Sequence, residues 1–148
     1  MKVVVLGLSI TSSWGNGHAT TYRGLLRELT RRGHEVTFLE RDVPWYAANR
    51  DLAAPPHGRT ALYGSVEELR ERFAPALRAA DLAVVGSYVP EGTKVAKLVQ
   101  EVARGTIAFY DIDTPVTVAA LEQDRCEYLA ARQHRRWISI SPSLADHC

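Results

Sequence analysis

The stretch "KVVVLGLS" at the start of the chain constrains the fold more than any other. Lys2–Leu8 shows no alternation of apolar and polar residues, so a strand there must be covered on both faces, as inside a parallel sheet. Parallel strands cannot be joined by hairpins; each needs a crossover that returns the chain to the same end of the sheet. The sequence supplies one at once. A helix over His18–Arg32 sets Ala19, Tyr22, Leu25, Leu26 and Leu29 on one stripe. Gly33 follows Arg31 and Arg32 as a C-terminal cap that accepts a left-handed conformation. "HEVTFLE" (His34–Glu40) then reads as a second strand, and the three pieces form a βαβ unit.

The same rhythm runs on. Arg41–Arg59, with Pro44, Pro55 and Pro56, reads as irregular, and Thr60–Tyr63 as a short strand. Ser65 and Glu68 form a capping box for a helix that Pro75 is expected to end or kink. "DLAVVGS" (Asp81–Ser87) is a buried strand, "GTKVAKLVQEVARG" a helix closed by Gly105, and "TIAFYDID" another strand. Pro115 suits the first turn of a further helix with Thr114 as its cap. Roughly five strands alternating with helices define an α/β fold, a Rossmann-like doubly wound parallel sheet with helices on both faces.

Composition excludes several classes of function. The length of 148 residues fits one domain with a real core. A formal net charge of +1 provides no global field to recruit nucleic acid or an anionic membrane. No apolar run is long enough to span a bilayer, and the N-terminus lacks a secretory pattern. Cys126 and Cys148 form neither a metal-type nor a disulfide framework, which makes a reducing cytoplasm the expected location.

In open α/β sheets, ligands bind beyond the carboxyl ends of the strands where strand order reverses. The loop after the first strand, "SSWGNGHATTYRGLL", is suited to that place. Gly15 and Gly17 let backbone N–H groups approach a ligand, Asn16 lies between them, and His18 opens the helix. The stretch begins like a dinucleotide fingerprint, G-x-G-x-x-G, but Thr20 stands where the third glycine belongs. Glu40, at the end of the second strand, is placed to hold a ribose. Trp14 offers an apolar face to a sugar ring or a cover for the sheet, and Trp45 and Tyr46 face the same choice. Tyr88 and Glu91 follow another strand end and are candidates for acceptor contact or for loop architecture. Arg50 and Asp51 read as a surface ion pair. Alternation along a strand sends Asp111 and Asp113 to opposite faces, which argues against a shared metal ion.

The opening "VVVLGLS…SWGNGHATTYRGLLRELTRRGHEVTFLE" resembles the N-terminal domain of GT-B glycosyltransferases. "RDVPWYAANRDL", "ALYGSVEELRERF", "ADLAVVGSYVPEG" and "AFYDIDTPVT" are similar to the spore-maturation-type (CgeB-like) branch, and the resemblance covers residues 1–133. It implies transfer of a sugar from a nucleotide-sugar donor to a sugar, glycan or small-molecule acceptor, with no other cofactor and no bound metal. In inverting members a loop histidine takes the acceptor proton, oriented by an aspartate from a neighbouring strand end. Carried over, this makes His18 the base and Asp111 or Asp113 its orienter. Imidazole suits the task because its ordinary pKa, roughly 6.5, lies near working pH. In a retaining member His18 would instead hydrogen-bond the sugar; as a plain helix residue it would be satisfied by backbone. Trp14, Gly15, Asn16, Gly17, Tyr88 and Glu91 fall on the acceptor side.

The resemblance also implies a second, donor-binding domain, expected as a missing C-terminal part or a separate partner chain, without which the isolated chain is expected to be inactive. After Gln133 the tail 134–148 loses its patterning, and no strand that continues the sheet is expected in it. Read from the third base of its codon, Trp137 followed by Ile138 spells aspartate, so a frameshift near Gln133 or His134 would account for the ending. An open sheet edge there would favour self-association. The rival reading is a nucleotide- or dinucleotide-binding module with no transferase role.

Overall fold

The computed structural model describes residues 1–130 and 137–140. Six parallel strands form one sheet: β1 (Lys2–Gly7), β2 (Glu35–Arg41), β3 (Arg59–Tyr63), β4 (Leu82–Gly86), β5 (Thr106–Tyr110) and β6 (Ile138–Ile140), in the order β3-β2-β1-β4-β5-β6. The helices are α1 (His18–Arg31), α2 (Pro44–Ala47), α3 (Val66–Ala79), α4 (Gly92–Val102) and α5 (Thr114–Glu122). Strand order reverses between β1 and β4, whose partners run Val3 with Leu82 through Leu6 with Val85.

The alternation of a strand divides the core. Val3 and Val5 of β1 pack with Val36, Phe38 and Val84 under Tyr22 and Leu26 of α1. Val4 and Leu6 pack with Leu39, Ala83, Val85 and Phe109 against α3 and α4, through Leu69, Phe73, Leu77, Val95, Leu98 and Val99. Both faces of β1 are therefore dry, as its unbroken apolar run requires.

The seat of α1 depends on two glycines at strand ends. A Cβ on Gly7 would collide with the rings of Phe38 and Tyr22, and one on Gly86 with the Tyr22 hydroxyl. In the dinucleotide fingerprint a glycine on the helix permits close packing. Here the bulk is on the helix and the glycines are on the strands.

Several local expectations need correction. Pro75 neither ends nor breaks α3, because Phe73 and Leu77 on either side of it are buried and anchor the final turn. Ser65 Oγ accepts from the Glu68 N–H at 3.0 Å, while the Glu68 carboxylate reaches Gly64 N–H at 2.7 Å, one residue outside the usual box. The segment after β2 contains the short α2, opened by Pro44. Helix α4 ends at Val102, short of Gly105, and the N-cap of α5 is Asp113 rather than Thr114.

The largest correction concerns the tail. Ile138–Ile140 is a sixth strand, registered Ala108 with Ile138 and Tyr110 with Ile140, and Trp137 is buried with its ring edge-on to Phe109 at 6.3 Å. Three residues are too few for their period to stand out in a sequence, and the edge of β5 supplies the partner. The frameshift point proposed near Gln133 and His134 lies outside the described residues.

Candidate functional site

The loop between β1 and α1 is fixed by carboxylates from elsewhere in the chain. Glu40, fully buried, accepts from Ile10 N–H at 2.7 Å, Thr11 N–H at 3.0 Å and the Thr11 hydroxyl at 2.7 Å. Asp51 accepts from Ser13 N–H at 2.8 Å, the Ser13 hydroxyl at 3.0 Å and both terminal nitrogens of Arg23 at 3.0 Å. The Arg23 fork, then the Ser13 backbone, holds the Asp51 carboxyl well below the usual carboxylate range. Leu52 N–H to Thr11 O and Ser12 Oγ to Asn49 O complete the strap over residues 48–58.

These contacts overturn two readings. Glu40 is committed to the loop backbone and does not hold a ribose. Asp51 pairs with Arg23, and Arg50 pairs with Asp42 at 2.5 Å, so Arg50 and Asp51 are not partners.

Within the loop, Trp14 is exposed and Gly15 has φ of 64°, the left-handed region that favours glycine. Asn16 binds Ser12 O and Trp14 O through its amide, and its Oδ1 accepts the Ala19 N–H. That contact satisfies one of the free N–H groups at the start of α1, while Gly17 serves as N-cap with φ of −88°.

His18 begins α1 and is half-buried. Its Nδ1 is shielded from solvent without a hydrogen-bond partner, and its ring meets Tyr88 edge-on at 5.3 Å. Burial lowers the imidazole pKa, while the charges of Asp113 and then Asp111 act in the opposite direction. Among the described residues no hydrogen bond joins His18 to either aspartate, so the carboxylate–imidazole bond expected from the sequence is not made; only the charges of Asp113 and Asp111 reach the ring.

Strand β5 stops at Tyr110, which leaves Asp111 and Asp113 in the turn beyond it; strand alternation does not separate them, and both bear on His18. Asp111 is buried, its Oδ1 accepting from the Thr117 hydroxyl at 2.8 Å and from Asp113 N–H at 3.3 Å. Thr117 shares a further 2.8 Å hydrogen bond with Tyr128. Tyr88 has φ of 64°, and its ring lies 4.8 Å from that of Tyr128. Burial pushes the Tyr88 hydroxyl pKa up, and the Asp113 charge adds to the effect.

His18, Tyr88, Asp111 and Asp113 thus gather at the carboxyl ends of β1, β4 and β5, beside the reversal in strand order. Glu91 does not share their chemistry. It is the left-handed N-cap of α4, with its two oxygens on Arg41 at 2.8 Å and Lys94 at 2.7 Å. Sequence reasoning missed Thr117, which holds Asp111, Tyr128, which holds Thr117, and the Arg23–Asp51 clamp. A threonine in the opening turn of a helix that follows two aspartates is the one local signal for the first; the clamp joins residues 28 positions apart and leaves none.

The described residues contain no helix long and apolar enough to cross a membrane. The molecule is a Rossmann-like α/β domain with a polar cluster at its switch point. No family model matches the chain, and no curated protein matches it. Among solved structures it is similar to an alpha-glucosyltransferase in complex with UDP and a 13-mer DNA containing an HMU base. The TM-score is 0.57 at 14% identity, over 97% of this chain and 38% of that one. At that identity the likeness is one of fold, and this chain spans under two fifths of its neighbour's length.

Proposed function

We propose that the chain forms the acceptor-side domain of a nucleotide-sugar-dependent glycosyltransferase, of the spore-maturation-type branch, with His18 at its reacting centre. The observation that carries the reading is the meeting of His18 with Asp111 and Asp113 at the switch-point edge, in a fold shared with a glucosyltransferase. With Nδ1 turned into the protein, Nε2 is the nitrogen left for a substrate. In the inverting reaction an acceptor hydroxyl gives its proton to Nε2 as its oxygen bonds the anomeric carbon. The bond from that carbon to the nucleotide breaks, and the nucleoside diphosphate leaves with the electron pair. Burial keeps the imidazole neutral and able to accept the proton, and the two aspartates stabilise the imidazolium that forms.

On this reading Trp14 and the backbone of Gly15, Asn16 and Gly17 border the acceptor, Tyr88 supports His18, and a second domain grips the donor. The reading also keeps the protein cytoplasmic, where nucleotide sugars are substrates. The dinucleotide alternative loses its ribose ligand, because Glu40 is buried beneath the loop.

Saturation-transfer NMR with a panel of sugars, nucleotide sugars and NAD tests the proposal. A sugar signal attenuated by the wild-type chain and not by His18→Gln supports it. Binding of NAD alone, or sugar contact indifferent to His18, overturns it.

A further inference from the structure

Helix α1 has a second face. Arg27 lies nine residues from His18, about half a turn around the axis at 3.6 residues per turn. There a cavity of about 380 Å³ opens between α1 and the strap over residues 48–58, bordered by Arg23, Gly24, Arg27, Leu52, Pro55 and His57. That volume falls within the range of roughly 300–1,000 Å³ usual for small-ligand pockets.

Its charge is one-sided. No carboxylate lines it. Each nitrogen of the Arg23 guanidinium has a partner, Nε donating to Ile10 O at 2.9 Å and the terminal nitrogens to Asp51. Arg27 and His57 have no hydrogen-bond or ion-pair partner among the described residues. Beside these polar groups, Leu52, Pro55 and Pro56 form an apolar wall.

Gly24 supplies an independent observation. A glycine inside a helix is costly relative to alanine, and a close neighbour or a positive φ usually explains it. Neither applies here: a Cβ on Gly24 would meet nothing within 4 Å, and its φ is not in the left-handed region. Nothing in the fold excludes a side chain from this position. What a side chain would occupy is the cavity.

From the open glycine, the unmatched Arg27 guanidinium beside the His57 ring and the apolar wall, we propose that this cavity binds a small anion carried on an apolar body, a phosphate monoester or a carboxylate. The site is separate from the His18 cluster and stands whether or not the chain serves sugar transfer.

Amide chemical-shift titration of the 148-residue chain with phenyl phosphate and with phenylacetate, beside neutral benzyl alcohol, tests it. Saturable shifts are expected at Thr20, Gly24, Arg27 and His57, and the tighter anion identifies the head group. Gly24→Leu, whose Cβ has open space around it, is expected to fill the opening and abolish binding. Arg27→Gln is expected to weaken it about fivefold, in line with a charge-assisted contact at a partly exposed site. Wild-type affinity in Gly24→Leu, equal binding of benzyl alcohol, or shifts confined to the His18 face would overturn the proposal.

Discussion

The two regions that meet at the switch point use their carboxylates in opposite ways. Around the β1–α1 loop the acids hold backbone: Glu40 binds two N–H groups and a hydroxyl, and Asp51 binds an N–H, a hydroxyl and an arginine fork. In the turn after β5 the acids are themselves held. Thr117 and the Asp113 N–H bind one oxygen of Asp111, and among the described residues neither Asp111 nor Asp113 has a lysine or arginine partner. In the first region each carboxylate is neutralised by an arginine or bound by N–H and hydroxyl donors. The second keeps charge available, and both His18 and Tyr88 feel it. An acidic residue at a strand end is therefore not a functional signal until its partners are known.

The largest expected effect comes from Glu40→Ala. It strands two buried N–H groups and should destabilise the fold by about 3 kcal/mol in urea denaturation. An unchanged midpoint would break the contrast at its root. Next is Gly86→Ala, which drives a methyl into the Tyr22 hydroxyl and should cost about 2 kcal/mol by overpacking, with Tyr22→Phe on top restoring part of the loss. Thr117→Val should cost only about 1 kcal/mol, because Asp111 keeps the Asp113 N–H. A loss as large as that of Glu40→Ala would show that both regions are braced alike.

The subtlest effect is electrostatic. Asp113 is the larger of the two acidic influences on His18, so Asp113→Asn should lower the His18 pKa more than Asp111→Asn, read by proton NMR of the ring. The folded value already lies below the unfolded 6.5. The unfolded chain therefore takes up the proton first as pH falls. The stability present above pH 6.5 declines below it and down through the lowered native value, and His18→Gln should flatten that part of the profile.

The framework of the fold was legible because it rests on local patterns. Uninterrupted apolar runs marked β1 and β4, a single stripe marked α1, and Ser65 marked the start of α3. What escaped depends on partners distant in sequence. Glu40 reads the same whether it faces a ribose or the backbone of Ile10 and Thr11, and Asp51 next to Arg50 suggests a pair that the strap does not make. Ile138–Ile140 becomes a strand only because the edge of β5 is there to receive it. For the candidate site, position was legible and bonding was not. His18, Asp111 and Asp113 could be placed at one sheet edge from strand order, whereas Thr117 and Tyr128 enter through a turn whose course no periodicity encodes.

The notch made by Gly7 and Gly86 has a consequence for aim. Tyr22 sits in it like a key in a keyway, and His18 stands one helical turn above on the same side of α1. Sliding or spinning the helix would force the tyrosine out of its slot and into strand backbone. The imidazole thus takes its bearing from the middle of the sheet, through two glycines that close the sheet's central strands.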